Sequence, residues 1–264
     1  MRPLAHSGTR AIPSIRHQIT RIRGQFSNSS NSSTISSSMS LTRPLRLLLL
    51  GAPGSGKGTQ TSRLLAKFPS IHALSSGDIL RSQVALGTQL GKEASQYINN
   101  GGLVPDTTMV SLITDQLKQS QWLNNHTSWT LDGFPRTAQQ AVALDEVLDK
   151  SGVGINLVVE LDVDQKVILD RIEARWIHAA SNRIYNLDYN PPKVPFKDDV
   201  TGEPLVKRKD DTAEVFQKRL DTYNDQLRGL KAFYKEKGVL HTVAGNTSDI
   251  IYPKLEELIL EKFS

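Results

Sequence analysis

The spacing of apolar and polar positions predicts short buried strands that alternate with helices along most of the chain. Apolar runs of strand length lie at residues 45–50, 128–131, 155–161 and 239–243. Segments of helix-forming composition lie at residues 59–67 and 163–174 and from about residue 248. This alternation is typical of a parallel sheet with helices on both faces. The 264 residues are sufficient for one sizeable core, so we predict an α/β fold.

A glycine-rich turn joins the first predicted strand to the first helix. Residues 51–59 have the order Gly-Ala-Pro-Gly-Ser-Gly-Lys-Gly-Thr. Glycine lets backbone N–H groups turn inward, and their dipoles together with the helix N-terminus favour a polyphosphate. Lys57 adds a positive charge beside the terminal phosphates, although Gly58 occupies the place where a hydroxyl residue is usual. The context of strand, loop and helix favours a phosphate-binding loop over an ordinary glycine turn.

The second predicted strand ends in the pentapeptide Asp-Gly-Phe-Pro-Arg at residues 132–136. Asp132 would stand at the carboxyl end of a parallel strand, near the phosphate loop. A carboxylate in that place can organise hydrated Mg²⁺. The alternative for Asp132 and Gly133 is an ordinary turn.

The distribution of charge excludes a general nucleic-acid-binding role. The net charge is +5, and residues 1–40 contain five arginines and no carboxylate. The rest of the chain is therefore neutral overall, unlike the basic surface that binds nucleic acid. The chain has no cysteine and no apolar run of membrane-spanning length, which excludes disulfides and thiolate metal sites and leaves no expected membrane role.

The first 40 residues have the composition of a mitochondrial transit peptide. Ile12, Ile15, Ile19, Ile22 and Phe26 recur at spacings of three and four, which places them on one helical face. Arginines flank and oppose this stripe, and residues 27–40 are mostly serine. An acid-free, arginine-rich and serine-rich amphipathic segment indicates mitochondrial targeting, the alternative being an undirected disordered tail. A start at Met39 would yield a form without the signal.

The loop at residues 51–59 and the pentapeptide at residues 132–136 together resemble the adenylate kinase family of nucleoside monophosphate kinases. The resemblance runs from about residue 45 to the C-terminus, and residues 174–178 and 183–186 are most similar to its GTP:AMP branch. It implies reversible transfer of the γ-phosphoryl group of GTP to AMP in the mitochondrial matrix, with ATP as the alternative donor. Such a transfer needs in-line positioning, charge neutralisation and exclusion of water, but no protein nucleophile.

The resemblance assigns residues to both nucleotides. It implies that the donor is bound by Gly54, Ser55, Gly56, Lys57, Gly58, Thr59, Arg171, Arg175, Ile184, Tyr185 and Thr247. It implies that AMP is bound by Ser76, Arg81, Gly102, Leu103, Val104, Gly133, Phe134, Pro135, Arg136, Gln140, Arg208 and Arg219. The catalytic set is Lys57, Asp132, Arg136, Arg175, Arg208 and Arg219. Without the resemblance, the serine near residue 76 could simply cap a helix, and the arginines could be surface charges.

The resemblance also divides the chain. It implies a tail at residues 1–40 and a P-loop kinase domain at residues 41–264, with an AMP-binding insertion at about 75–104 and a small β-rich lid at about 175–210. Some relatives hold the lid around zinc with four cysteines; here the spacing gives His178, Ser181, Asp198 and Thr201. Hydroxyls are poor zinc ligands, so we expect a hydrogen-bonded polar cluster and no structural zinc.

Arg171 and Arg175 are four residues apart and are expected on one face of the helix at residues 163–174. The resemblance places Arg171 near the donor base and Arg175 on the phosphoryl groups. Mg²⁺ is expected to arrive with the nucleotide, so no metal site made of protein ligands alone is predicted.

Two other classes of function remain open at this stage. A P-loop GTPase or nucleotide sensor would bind without a second substrate, which Ser76, Arg81, Arg136 and Gln140 argue against. A nucleic-acid-associated P-loop protein is disfavoured by the neutral body. We expect a monomer whose partners are the small nucleotides GTP or ATP and AMP.

Overall fold

A five-stranded parallel sheet organises the part of the chain that this computed structural model describes, residues 41–188, 190–208 and 211–264. In chain order its strands are β1 (Arg46–Leu50), β2 (Ile71–Ser75), β3 (Ser128–Asp132), β4 (Leu157–Asp162) and β7 (Leu240–Ala244). Their order across the sheet is β2-β3-β1-β4-β7. The predicted α/β class with a parallel sheet is confirmed.

Eight helices accompany the parallel sheet in the described part of the chain. They are α1 (Lys57–Lys67), α2 (Ser76–Ala85), α3 (Gln89–Asn99), α4 (Asp106–Gln119), α5 (Ala138–Lys150), α6 (Gln165–Glu173), α7 (Ala213–Glu236) and α8 (Ser248–Phe263). A small antiparallel sheet of β5 (Arg175–Ile177) and β6 (Ile184–Asn186) lies between α6 and α7 in the chain.

The centre of the core is β1, because its side chains are buried on both faces of the sheet. Leu47 and Leu49 belong to a cluster with residues of α1, α6 and α8. Leu48 and Leu50 belong to the opposite cluster, with residues of α4 and α5. Successive side chains in a strand point to opposite faces, so a continuous leucine run fits a strand covered on both sides. Each buried leucine contributes about 2 kcal/mol of hydrophobic stabilisation.

The parallel register brings the functional loops to one edge of the sheet. Leu49 of β1 is paired with Asp132 of β3, and Leu50 with Glu160 of β4. On the far side of β3, Ser75 is paired with the same Asp132. Because the carboxyl ends of these strands coincide, the glycine-rich loop, the pentapeptide and the start of α2 lie side by side.

Two details of the fold differ from the sequence predictions. Strand β2 was not predicted, because only Ile71 and Leu74 of its five residues are buried and the apolar signal is weak. The expectation that Arg171 and Arg175 share a helical face is wrong. Helix α6 ends at Glu173, and Arg175 begins β5, where it is paired with Asn186. Local strand pairing therefore overrides the helical spacing.

The predicted targeting segment, residues 1–40, lies outside the described residues. Within the described ranges, none of the helices combines the length and the apolar character needed to cross a bilayer.

Gly91 offers a test of the packing between α2 and α3. A Cβ atom built on Gly91 would lie 2.0 Å from the backbone oxygen of Gln83. Helix propensity favours alanine over glycine by about 1 kcal/mol, so a neutral environment would make Gly91→Ala stabilising. We expect instead a loss of about 2–3 kcal/mol, seen as a fall in Tm of at least ~4 °C.

The matched control is Gly154→Ala, because no atom lies within 4 Å of the Cβ position there. It should leave Tm within about 1 °C of the wild-type value. An equal Tm for the two variants would contradict the close contact between α2 and α3 at Gly91.

Candidate active site

The loop between β1 and α1 has the backbone conformation that only glycine adopts readily. Gly54 and Gly56 have φ angles of 83° and 94°, which are unfavourable for residues with a Cβ. A Cβ at Gly54 would also lie 3.0 Å from side-chain atoms of Ile168 and of Ile172. The Nζ atom of Lys57 donates to the carbonyl of Gly51 at 2.6 Å and to that of Ala52 at 3.0 Å. The loop thus folds around its own lysine beside the N-terminus of α1.

Arg171 connects the phosphate loop to the loop that precedes α8. Its Nη1 atom donates to the carbonyl of Ser55 at 3.2 Å, and its Nη2 atom donates to the carbonyl of Asn246 at 2.9 Å. The side chain of Thr247 caps α8 by accepting a hydrogen bond from the backbone N–H of Ile250. Arg171 is buried, so it acts here as a brace between two loops of the predicted donor site.

Asp132 lies across the cleft from the phosphate loop. A Cβ built on Gly58 would be 4.0 Å from Asp132 Oδ2, so the absence of a side chain at Gly58 leaves the carboxylate facing the start of α1. Burial raises the pKa of Asp132, and the charges of Lys57 and Arg136 oppose that rise only in part. A carboxylate opposite a phosphate loop fits the water shell of a nucleotide-bound Mg²⁺.

The residues predicted to bind the acceptor are connected by the carbonyl of Gly133. It accepts hydrogen bonds from Ser76 Oγ and from Arg136 Nε, each at 2.7 Å. Gly133 has a φ of 75°, and a Cβ there would lie 2.9 Å from Ser76 Oγ. Phe134 is buried and its peptide bond to Pro135 is cis. Ser76 is buried, whereas Arg136 is exposed. The carbonyl of Gly133 therefore connects the start of α2 to an arginine that a ligand can reach.

Gln140 is held by neighbours that the sequence did not identify. Its Oε1 atom accepts from the backbone N–H of Arg136 at 2.7 Å, and its Nε2 atom donates to Asp106 Oδ1 at 2.8 Å. The other oxygen of Asp106 accepts from Thr137 Oγ1 at 2.8 Å. Asp106 therefore fixes the start of α5. It lies in the first turn of α4, and nothing in the sequence indicated this role.

The segment after α3 lies against α7. The N–H of Gly102 donates to the carbonyl of Tyr97 at 2.9 Å, which closes α3, and Val104 is buried. Leu103 lies between them and is half-buried. Arg219 of α7 donates to the carbonyl of Ile98 at 3.4 Å. The predicted adenine-reading backbone is thus next to one of the predicted phosphate arginines.

In the predicted lid, Arg175 is paired with Asp211, a second residue that the sequence did not single out. Arg175 Nε donates to Asp211 Oδ2 at 2.7 Å, and Nη2 contacts the other oxygen. The Asp211 side chain is 1% exposed. Bidentate pairing of this kind fixes the plane of the guanidinium group. No periodicity marks Asp211, because it lies in the irregular connection before α7.

The lid residues Ile184 and Tyr185 differ in the direction of their side chains. Ile184 Cδ1 would be 3.9 Å from a Cβ on Gly58, so it lies over the phosphate loop. Tyr185 is buried, and its hydroxyl donates to Asp198 Oδ1 at 2.9 Å. Any donor contact from Tyr185 therefore has to come from its backbone.

The four lid positions that replace zinc ligands join in hydrogen bonds, as the sequence predicts. His178 Nδ1 is 2.7 Å from Ser181 Oγ, and Thr201 Oγ1 donates to Asp198 Oδ2 at 2.9 Å. His178 Nε2 contacts Glu203, and Arg183 Nε donates to Asp198 Oδ1 at 2.7 Å. These pairings satisfy the buried polar groups of the lid.

Six cationic side chains lie close enough together to interact electrostatically, directly or through one another. They are Lys57, Arg81, Arg136, Arg175, Arg208 and Arg219. Their charges act on one another: Arg136 and Arg175 lower the pKa of Lys57, and Arg81 and Arg175 lower that of Arg208. Burial is the larger cause in both cases, and the resulting pKa is about 8 for Lys57 and about 10 for Arg208.

The neighbouring carboxylates do not compensate this charge fully. Arg81 is paired with Asp78 and Arg175 with Asp211. The Nε atoms of Arg81 and Arg208 are nevertheless shielded from solvent and have no acceptor among the described residues. Charged groups with shielded N–H donors that have no acceptor are costly. A polyanionic ligand would supply both the missing acceptors and the missing negative charge.

A parallel sheet with a lysine-bearing glycine loop after its central strand defines a P-loop nucleotide-binding protein of the α/β class. A family model described as adenylate kinase matches residues 49–239. The chain belongs to the adenylate kinase family, and it is therefore a phosphotransferase.

Similar proteins come from several fungi. A Saccharomyces cerevisiae protein named "GTP:AMP phosphotransferase, mitochondrial" is 58% identical over 223 residues, which are 84% of this chain and 95% of that protein. An "Adenylate kinase" of Vanderwaltozyma polyspora is 47% identical over 195 residues, 74% of this chain and 86% of its own. An "Adenylate kinase" of Talaromyces marneffei is 41% identical over 240 residues, covering 90% and 87%.

The lowered pKa of Lys57 gives a pH-dependent prediction. The lysine is cationic below about pH 8 and loses its charge as the pH rises through that value. Affinity for Mg·GDP, measured by calorimetry, should therefore be constant near neutrality and fall roughly twenty- to thirtyfold between pH 7.5 and 9.5. Lys57→Met should bind weakly with no such decline. A wild-type affinity that stays flat over this range would disprove the role assigned to the lysine charge.

The buried Asp198 gives a prediction about the lid. Arg183, Tyr185 and Thr201 donate to its carboxylate, and they hold its pKa far below the ordinary value. Its stabilising contribution is thus present above pH ~4 and is lost only as the pH falls towards that lower pKa. Asp198→Asn should lower the stability of this cluster by on the order of 3 kcal/mol. This is the low end for breaking a buried ion pair, because Arg183 is partly exposed.

Hydrogen exchange is the measurement for Asp198→Asn, because it reports local opening of the small sheet separately from unfolding of the parallel sheet. Amides of β5 and β6 should exchange about a hundredfold faster, whereas amides of β1 should be unchanged. Asp115→Asn, on an exposed position of α4, is the control and should alter neither set. Unchanged exchange in the lid of Asp198→Asn would show that the cluster does not hold it.

Proposed function

We propose that this protein transfers the γ-phosphoryl group of GTP to AMP, reversibly, giving GDP and ADP. The observation that carries the proposal is the set of six cations around one cleft, with the phosphate loop on one wall and Ser76, Arg81 and Arg136 on the other. A protein that only bound or hydrolysed a triphosphate would not need the second wall. The relative named for GTP:AMP transfer supports the same pair of substrates.

In the proposed reaction, a phosphate oxygen of AMP attacks the γ-phosphorus in line with the departing GDP. One P–O bond forms, the bond to the β,γ-bridging oxygen breaks, and no covalent enzyme intermediate arises. The protein contributes positioning and charge stabilisation, because the transferring group carries its charge on three equatorial oxygens. The cationic cleft supplies fixed positive charge around that group.

Each cation has a distinct place in this scheme. Lys57, inside the phosphate loop, would hold the β- and γ-phosphates of the donor. Arg81 and Arg136, beside Ser76 and Gly133, would hold the phosphate of AMP. The AMP base would meet the backbone of residues 102–104 and the side chain of Gln140, whose amide is already oriented by Asp106.

The remaining arginines come from the lid and from α7. Arg175 is oriented by Asp211. Arg208 is close enough to Arg81 and Arg175 that their charges lower its pKa. Arg219 reaches the end of α3. These three side chains would contact the phosphates between the two nucleotides. The lid over them would keep out water that could hydrolyse the donor.

Mg²⁺ would enter with the donor, and the residues present fit it. Asp132 faces the phosphate loop and would hold the hydration shell of the ion, which neutralises phosphate charge. In the lid, hydrogen bonds among His178, Ser181, Asp198 and Thr201 take the place of a structural zinc. Among the described residues, no group of three or more histidines and carboxylates is arranged to hold a metal ion.

The division of the chain follows the same scheme. We assign the segment at about 75–104 to AMP, the segment at about 175–210 to the lid, and residues 1–40 to mitochondrial import into the matrix. The Saccharomyces cerevisiae relative is named as mitochondrial, which supports the proposed mitochondrial location. We propose that the enzyme acts as a monomer on small nucleotides.

The second candidate is an ATP:AMP phosphotransferase, favoured by the two relatives named adenylate kinase. Guanine and adenine differ in the hydrogen-bonding groups at one edge of the ring. The brace from Arg171 to the carbonyl of Asn246 fixes one peptide of the donor-base loop. A mismatched buried polar group costs about 1–3 kcal/mol, so a fixed peptide can give roughly tenfold or greater discrimination between the bases.

The test compares kcat/KM for GTP and ATP at saturating AMP. We expect GTP to be favoured at least about fivefold. Equal or better use of ATP would assign the protein to the second candidate. Lys57→Met is the control in both assays and should lower kcat at least ~100-fold. Hydrolysis of GTP at the same rate without AMP would instead indicate a GTPase.

A further inference from the structure

A second cationic recess lies at the opposite edge of the sheet from the active site. It is lined by Arg43, Pro44, Arg46, Asn156, Lys262 and Phe263, and its volume is about 390 Å³. Arg46 begins β1, and the phosphate loop follows the other end of that strand. At roughly 3.3 Å per residue, the five residues of β1 separate the two sites by about 16 Å.

The three cations of this recess have no counter-ions in the described part of the chain. None of Arg43, Arg46 and Lys262 lies within ion-pair distance of a described carboxylate. Surface cations usually stand near acids when the body of a protein is neutral. Three unpaired cations around one recess therefore create a local positive potential.

Arg46 is fixed in place and incompletely satisfied. Its Nε atom donates to the carbonyl of Gly154 at 2.7 Å, which fixes the guanidinium group. Its Nη1 atom is shielded from solvent and has no acceptor. Burial lowers the pKa of Arg46, and no neighbouring carboxylate opposes that effect. An anion in the recess would offset this cost by providing negative charge and acceptor oxygens.

The other walls are rigid and partly apolar. The Asn156 side chain accepts from the backbone N–H of Arg46 at 2.7 Å and donates to the carbonyl of Pro44 at 2.8 Å. The Arg43 guanidinium lies over the Phe263 ring, 5.5 Å from its centroid, and contacts the carbonyl of Lys262. Cations beside an aromatic ring and a proline suit a phosphate attached to an organic group.

We propose that this recess is a second ligand site, which binds the phosphate group of a small organic phosphate away from the catalytic centre. The recess is concave and its volume is within the range of small-molecule sites, about 300–1,000 Å³. The same phosphate chemistry is present in a phospholipid headgroup. The experiment therefore has one arm for each source.

The first arm uses phenyl phosphate as the probe and backbone amide NMR as the readout. The full-length protein is first saturated with Mg·GDP and AMP, which occupy the catalytic cleft without reacting. We expect saturable shifts at residues 43–46, 156 and 262–263. In the double variant Arg43→Gln/Lys262→Gln, the Kd for phenyl phosphate should rise at least about tenfold, the loss expected for removing two phosphate-binding cations.

The matched control is Lys118→Gln/Lys150→Gln, which removes two exposed lysines from α4 and α5. It should change the Kd less than about twofold. All three proteins carry the same first 40 residues, so the comparison isolates the recess. GTP:AMP transfer should be unchanged in each, which also verifies folding. If the double variant fails to fold, Lys262→Gln alone serves, since the ammonium group has no hydrogen-bonding partner among the described residues.

The second arm uses sedimentation with phosphatidylcholine vesicles, with and without phosphatidylglycerol. Binding to anionic vesicles that depends on Arg43 and Lys262, without shifts from phenyl phosphate, would assign the phosphate to a lipid headgroup. Localised shifts from phenyl phosphate without vesicle binding would assign it to a free ligand. If neither binding depends on Arg43 and Lys262, the proposal is overturned, whatever the outcome for GTP and AMP.

Discussion

Repulsion between six neighbouring cations, five of them half-buried, is the main electrostatic constraint on this structure. They are Lys57, Arg81, Arg136, Arg175, Arg208 and Arg219. The pKa values of Lys57 and Arg208 are both lowered by burial and by neighbouring positive charge. A free cleft of this kind is unfavourable, because each charge loses solvent and gains like-charged neighbours. Two nucleotide phosphate chains would reverse that balance.

The fold holds these charges at fixed places by burying the elements that carry them. The leucines of β1 pack on both faces of the sheet. The phosphate loop therefore begins at a strand that is held in place on both sides. Parallel pairing places Asp132 and the start of α2 at the same edge. Direct partners then orient single side chains: Asp211 for Arg175, the carbonyl of Gly133 for Arg136, and Asp106 for Gln140.

The sequence predicted what depends on local pattern. The leucine run of β1, the glycine loop and the pentapeptide at 132–136 are contiguous, and their apolar and glycine positions specify strand and turn directly. Strand β2 escaped prediction because three of its five residues are not fully buried. Arg175 was misplaced because its partner strand and Asp211 are distant in sequence, and the helical spacing from Arg171 was the only local signal.

Hydrogen-bonding partners that are distant in sequence could not be predicted, for the same reason. Asp106, Asp211 and Glu203 act on residues more than 24 positions away, and no periodic pattern links them to Gln140, Arg175 and His178. The hydrogen-bonded lid was predictable only because the chemistry of hydroxyls excluded the alternative of zinc. The roles of individual site residues rest on the resemblance and on the shared cleft, and they stay predictions.

The most direct test of the charge account is the stability of Arg208→Met without ligands. Arg208 is a half-buried cation whose Nε atom is shielded from solvent and has no acceptor, so removing its charge should raise the Tm of the free protein by at least ~2 °C while lowering kcat at least ~100-fold. Arg63→Met, which removes a cation paired with Asp249 outside the cleft, should not raise Tm. A free Arg208→Met protein that melts at or below the wild-type temperature would contradict the account.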